Sequence, residues 1–216
     1  MGSFLVIGMG RFGSSVATEL YQMNNDVLVV DKNEGKVSNI LNLVTNVIIG
    51  DTKDEAVLRS LDIPSFDCVI VATATAIEDS VLTAIMLKEM GAKMIVCKAQ
   101  NEWHEKILIQ LGVDKAIRPE YDTGKRVALS LVQKNIIDLL ELSPEYSILE
   151  LRTPNHWVNK SVGKNDLRKK YGITLLAIRS AKTDELTLSI SEGTMLYEGD
   201  ILTLIGPKEN LDKLIY

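Results

Sequence analysis

Val6-Ile7-Gly8-Met9-Gly10-Arg11-Phe12-Gly13 is a GxGxxG pattern that leaves a short apolar run and enters an amphipathic one over residues 11–22. That context gives each glycine a physical task. Gly8 permits a tight turn, Gly10 lets the backbone approach a diphosphate, and Gly13 lets helix and strand pack closely. The start of the helix supplies unsatisfied N–H groups and a partial positive charge for phosphate oxygens. Asp31 closes the next apolar run eighteen residues after Gly13 and is followed by Lys32. The spacing is near the value of about 20 at which an acid bonds ribose hydroxyls. A carboxylate there repels a 2′-phosphate, so the expected ligand is an unphosphorylated adenosine moiety, that of NAD, ATP or ADP and not NADP.

Working outward, apolar β-rich runs at residues 4–7, 27–30, 47–49, 68–72, 94–97 and 115–117 alternate with helical patterns at 11–22, 33–43, 77–90 and 102–111. Continuous apolar runs mark strands buried on both faces, hence a parallel sheet with helices crossing over it. Thr52-x-x-Glu55 reads as a capping box opening a short helix toward Ser60, and Gly91 and Gly112 stand where helices stop. After Arg118-Pro119-Glu120 the rhythm changes. Residues 122–142 read as a longer, mostly helical crossover ended by Ser143-Pro144. A smaller unit follows, with strands near 148–151, 174–179, 186–190 and 201–205 and helices near 164–171 and 209–215. The fold class is therefore α/β: a Rossmann-like doubly wound parallel sheet, a crossover helix and a small α+β C-terminal lobe. The expected division is 1–134 and 135–216.

Composition narrows the function. Hydrophobic residues at 46% and charged residues at 25% are the ordinary globular balance, so a core is expected. With 24 Lys plus Arg against 29 Asp plus Glu, the net charge is −5, and no basic field is available for a nucleic-acid backbone. Nucleic acid is not an expected partner. Cys68 and Cys97 each lie in an apolar run and read as reduced, buried thiols of a cytoplasmic protein. The first apolar run stops at Gly8 without a basic leader, and no run approaches the roughly 18 apolar residues of a membrane helix. Any membrane role is then expected through a partner.

The loops after the third and fourth strands, Gly50-Asp51-Thr52 and Thr73-Ala74-Thr75, emerge at the carboxyl edge where doubly wound sheets bind ligands. Asp51 meets the adenine end or, with Thr52, caps the next helix; the two readings are compatible. Arg11, inside the phosphate turn, reaches a terminal phosphate or is a solvated surface cation. Lys98 and Glu120 lie on the same edge, as ligand contacts or as solvated strand-end charges. His104 falls in a solvent-facing helical pattern and His156 in a loop, neither with a nucleophile or metal-ligand spacing beside it. A dehydrogenase needs a second domain carrying an acid or base for a hydride partner, and the second unit offers none. The residues by themselves point to a nucleotide binder without a catalytic constellation.

Taken together, these residues resemble a known family, the cytosolic regulatory subunits of Ktr/Trk-type bacterial potassium uptake systems, built on the RCK (KTN) fold. The resemblance is carried by residues 6–13, Val47-Ile48-Ile49-Gly50-Asp51, Lys98-Ala99-Gln100-Asn101, Leu111-Gly112-Val113-Asp114 and Arg118-Pro119-Glu120. Leu167-Arg168-Lys169-Lys170-Tyr171-Gly172 and Glu198-Gly199-Asp200-Ile201-Leu202 continue it, so it covers essentially the whole chain. The glycine motif is common to many nucleotide binders. The R-F-G within it, the K-A-Q-N run and the R-P-E end are together specific.

What the resemblance implies is a nucleotide-gated regulator with ATP or ADP in each Rossmann lobe, NAD or NADH being the alternative. Its lobes pair as dimers that assemble toward an octameric ring, peripheral at the inner face of the membrane, against a membrane-embedded potassium-translocating subunit. Arg11 matches an arginine that reaches the γ-phosphate, Asp31 the ribose acid, and Glu120 a carboxylate associated with a divalent cation, Mg²⁺ or Ca²⁺. Arg168 matches the arginine of a cyclic di-AMP site in the small lobe. The chain departs from the family at Ala74 and Ala76, where Gly and Asn are usual, at Asp166, where Asn is common, and at Ile190, where Pro is usual.

Overall fold

Short runs of β-branched and aliphatic residues form the strands β1 (Ser3–Ile7), β2 (Asp26–Asp31), β3 (Asn46–Ile49), β4 (Cys68–Val71), β5 (Ile95–Lys98) and β6 (Lys115–Ile117) of one sheet. The structure, a computed structural model, describes residues 1–73, 76–132 and 135–215. Every pairing in this sheet is parallel and the strand order is β3-β2-β1-β4-β5-β6. The order reverses between β1 and β4, which opens a crevice at the carboxyl ends of those strands. Ile7 pairs with Val30 on one side and Val71 on the other, so the ends of β1, β2 and β4 lie level.

The helices of this unit are α1 (Arg11–Gln22), α2 (Glu34–Ser38), α3 (Glu55–Arg59), α4 (Ile77–Glu89) and α5 (Glu102–Gln110). They bury both faces of the sheet. Leu5 and Ile7 of β1 pack in a cluster with Leu58, Leu87 and Leu108, whereas Val6 packs in another with Ala17, Val29 and Ile70. Each fully buried aliphatic side chain contributes about 1.5 to 3 kcal/mol, so the sheet holds its helices mainly by these two layers.

Two helices of this unit depart from the sequence expectation. The pattern over 33–43 becomes only α2, because Gly35, Asn39 and Asn42 favour turns, although Ile40 beyond it is still buried in the core. The Thr52-x-x-Glu55 box does not form. Asp54 caps α3 by accepting from the Ala56 N–H at 2.9 Å, Thr52 is buried, and Glu55 pairs forward with Arg59. Asp directly ahead of a helix is the stronger cap.

The two compact units are Met1–Glu120 and Tyr121–Tyr216. The helix α6 (Pro119–Val132) spans that division and belongs mostly to the second unit, whereas the sequence division at 134 leaves it in the first. The crossover does not continue to residue 142 as a helix. Residues 136–141 are instead a strand, β7 (Ile136–Glu141), antiparallel to β8 (Tyr146–Arg152) with Leu139 opposite Leu149. Ile136-Ile137 and Leu139-Leu140 suit either period, and pairing with β8 decides it.

The rest of the unit comprises β9 (Lys160–Ser161), α7 (Val162–Asn165), α8 (Leu167–Tyr171), β10 (Thr174–Arg179), β11 (Leu186–Thr187), β12 (Met195–Leu196), β13 (Ile201–Pro207) and α9 (Lys208–Ile215). Its five-stranded sheet has the order β11-β10-β13-β8-β7 and is antiparallel. Leu149, Leu151, Trp157, Leu202, Leu204 and Leu211 fill its core. Asp200, only 4% exposed, accepts from the Ala181 N–H at 3.0 Å and the Tyr197 N–H at 3.1 Å. The Glu198-Gly199-Asp200 stretch is thus a structural pin.

Ser147 on β8 is fully buried and its Oγ has no hydrogen-bond partner among the described residues. A desolvated, unpaired hydroxyl costs about 1 to 3 kcal/mol, and an accepted bond to a buried carboxylate contributes a similar amount. Ser147→Ala is therefore expected to raise the midpoint of denaturant unfolding, and Asp200→Ala to lower it by the equivalent of about 3 kcal/mol. Equilibrium denaturation of the two variants beside the wild type checks both signs.

Candidate functional site

The chain leaves β1 through Gly8, whose φ of +95° is open only to glycine at low cost. Its N–H donates to Val30 O at 2.8 Å, and a Cβ there would lie 2.8 Å from Thr73 Cγ2. Gly13 is fixed by close approach, since a Cβ would fall 1.9 Å from Gly8 O. Gly10 is different. Its φ of −76° and ψ of −178° suit any residue, and a Cβ would meet nothing within 4 Å. The chain itself therefore has no need of a glycine at position 10; what the missing side chain preserves is open space at the N-terminus of α1, where no side chain caps the helix.

Asp31, at the end of β2, faces that space. Its Oδ2 accepts from the Met9 N–H at 2.6 Å and its Oδ1 from the Asn33 N–H at 2.8 Å, with Lys36 Nζ 3.9 Å away. A carboxylate offers about four lone-pair directions, so two remain for ribose hydroxyls. Lys32 pairs with Asp51 at 3.7 Å, Asp51 accepts from the Lys53 N–H at 3.1 Å, and Lys53 pairs with Asp79 at 3.4 Å. These groups line one cleft of about 600 Å³ that runs along the carboxyl edge.

Arg11 stands exposed at the rim of this cleft and has no ion-pair partner among the described residues. Phe12 is half-buried there, and Thr52 lines the wall. The Thr73 Oγ1 is buried without a hydrogen-bond partner among the described residues, as expected of an atom awaiting one from a ligand. Ala74 lies outside the described residues. Sequence reasoning missed Lys36, Lys53, Asp79 and Thr83, which also line the cleft. Asp79 and Thr83 are four apart on α4, a one-face spacing that signals proximity but not which face meets a ligand.

At the far end of the cleft Lys98, nearly buried, forms an ion pair with exposed Glu120, and this pairing holds the Glu120 carboxyl below the usual range. The pairing bears on a divalent cation at Glu120. Among the described residues no group of three or more His, Cys, Asp or Glu side chains could hold a metal ion. A carboxylate already neutralised by a lysine is a poor ligand for Mg²⁺ or Ca²⁺, which take several oxygens. Within one chain Glu120 is thus engaged by Lys98, and the described residues form no all-protein cage for such an ion.

Burial pushes the Cys97 thiol up to about 12 and the Cys68 thiol up to about 11, so both remain protonated at neutral pH and neither is a nucleophile. His156 is exposed, as its loop position implied, but His104 is not: it is fully buried on the face of α5 that carries Leu108. Position i, i+4 from a core leucine is the signal that identifies it. In the second unit, Arg168 of α8 lines a separate cleft of about 540 Å³ with Asp166, Lys169, Ile190 and Glu192. No helix among the described residues is long and apolar enough to cross a membrane.

Residues 4–119 match the TrkA-N domain family and residues 147–215 the TrkA-C domain family. Ktr system potassium uptake protein C of Bacillus subtilis (strain 168) is 38% identical over 210 residues, 97% of this chain and 94% of that protein. Ktr system potassium uptake protein A of the same strain is 40% identical over 210 residues, with the same two coverages. A solved structure of the GsuK channel bound to NAD is alike in fold, with a TM-score of 0.70 at 19% identity. That likeness covers 100% of this chain and 39% of the channel chain, so this chain spans well under half of the channel's length.

The glycines make opposite predictions for stability. Gly13→Ala drives a Cβ into Gly8 O and is expected to unfold the first unit or lower its melting temperature by more than about 10 °C, a core-overpacking effect of several kcal/mol. Gly10→Ala is expected to leave the melting temperature within about 2 °C of wild type. Thermal unfolding of both variants without added nucleotide checks the contrast.

Proposed function

Because this chain belongs to the family of TrkA-N and TrkA-C domain proteins that includes the Ktr potassium uptake proteins, we propose that it is the nucleotide-sensing regulatory subunit of a potassium transport system. Its ligand is an adenine dinucleotide, NAD or NADH, with an unphosphorylated 2′-hydroxyl on Asp31. One observation carries this reading. The open space at Gly10 lies in a cleft of about 600 Å³ lined from Asp31 and Asp51 on one side of the strand reversal to Lys98 and Glu120 on the other, the crevice in which doubly wound sheets bind dinucleotides. The NAD held by the GsuK channel, which is alike in fold, is in keeping with it.

ATP or ADP, which the sequence puts first, remains the second reading because Arg11 stands at the helix start without an ion-pair partner among the described residues. The cleft's polar groups bind and orient; the proposed role is sensing, without turnover. The bound state passes to a membrane-embedded potassium-translocating subunit, and copies of this chain associate as dimers toward a ring. Self-association is supported by α6, which has no buried residue and exposes Tyr121, Val127, Leu131 and Val132. In the second unit Arg168, without an ion-pair partner among the described residues, is the cation for the phosphates of cyclic di-AMP.

A thermal-shift panel with NAD, NADH, ATP and ADP tests the ligand. Wild type at about 100 times the Kd gains about 2.7 kcal/mol of stability, and Gly10→Asp, which sets a carboxylate against the diphosphate, gains none. Arg11→Ala is expected to weaken ATP more than NADH. No stabilisation of wild type by any of the four, or equal stabilisation of Gly10→Asp, contradicts the reading.

A further inference from the structure

His104 is fully buried and both of its ring nitrogens are engaged. The Gln100 N–H lies 3.1 Å from Nδ1. A backbone N–H only donates, so Nδ1 accepts and the single proton of the neutral ring sits on Nε2. Nε2–H then donates to Ser80 Oγ at 2.9 Å, and the Ser80 hydroxyl, also fully buried, donates to Ile77 O at 2.9 Å. These bonds join the turn after β5 to the first turn of α4. Both segments carry cleft residues: Lys98 lies two positions before Gln100, and Asp79 adjoins Ser80. No side chain caps α4, so its first turn depends on bracing from the side.

We propose that His104 is a positioning residue of the nucleotide cleft: as the neutral Nε2–H imidazole it holds Lys98 and Asp79 at the wall, and its protonation releases them. A proton on Nδ1 would face the Gln100 N–H donor to donor, so that bond has to break. The charged groups on the packed elements are Glu78, Asp79, Lys88 and Glu89 of α4, Lys98 of β5, Lys115 of β6 and Arg118 after it, and Glu102, Glu105 and Lys106 of α5 itself. Most are neutralised in pairs, Lys53 with Asp79, Lys98 with Glu120, Lys106 with Glu102 and Arg118 with Glu105. Burial is what remains, and it holds the ring below the ordinary imidazole value. Burial thus favours the neutral ring, which charges only on the acid side of the ordinary imidazole range. The wall loosens, and ligand affinity falls, on the acid side.

The consequence for affinity rests on the nucleotide reading of the cleft; the bracing does not, and the test separates them. In the full-length chain, ¹⁵N NMR follows the His104 ring while hydrogen exchange, corrected for its intrinsic pH dependence, follows the amides of Gln100 and the first turn of α4. NADH affinity is measured over the same range, pH 8 to 5, for wild type and for His104→Asn, which can accept from Gln100 but cannot titrate. The expected result is faster exchange and about tenfold weaker NADH binding as the ring charges, a change the size of one buried hydrogen bond, with both profiles flat in His104→Asn. Exchange that does not change while the ring titrates overturns the proposal, as does an unaltered pH profile in His104→Asn. Should that variant not fold, the wild-type exchange profile alone decides. Exchange that tracks the ring while NADH binds at no pH supports the bracing and overturns the dinucleotide reading of the cleft.

Discussion

The hydrogen bond from the Met9 N–H to Asp31 Oδ2, 2.6 Å long, ties the end of β2 to the turn between β1 and α1. A charge-assisted bond of this kind is about twice as strong as a neutral one, and it does several tasks at once. It fixes where the glycine turn lies and aims the acid at the crevice. It also sets the open space at Gly10 beside that acid, so that the proposed diphosphate and ribose sites have a fixed separation. The Gly8 N–H, donating to Val30 O at 2.8 Å, repeats the tie one residue earlier. Without these two bonds the sheet would still bury its core, but the site would have no defined geometry.

Much of this was legible in the sequence because it is local. Gly8, Gly10, Gly13 and Asp31 lie within the single β1-α1-β2 stretch, and backbone sterics leave few alternatives at Gly8 and Gly13. The strand β7 was not legible, because Ile136-Ile137 and Leu139-Leu140 fit a helix or a strand and only the partner β8 decides. Asp54 displaced Thr52 as the cap of α3 for a local reason that a motif match overrode. The bond between His104 and Ser80 joins residues 24 apart through the interior, and no spacing rule connects an α5 position with an α4 position. The pairing of Lys98 with Glu120 is likewise a tertiary fact.

A ligand shifts a conformational equilibrium only by its differential affinity for the two states. The cleft suits that requirement because its walls come from both halves of the sheet. One end is fixed by backbone bonds at Asp31 and the glycine turn; the other rests on side-chain pairs, Lys53 with Asp79 and Lys98 with Glu120.

The central claim is that Asp31, held by Met9, defines a site for a ribose with a free 2′-hydroxyl. Calorimetric titration of NADH against NADPH into the full-length chain, at one pH and ionic strength, tests it most directly. NADH is predicted to bind, with NADPH weaker by at least about tenfold, because the 2′-phosphate loses its bond to the carboxylate and meets its charge. Equal affinities, or tighter binding of NADPH, would contradict the account.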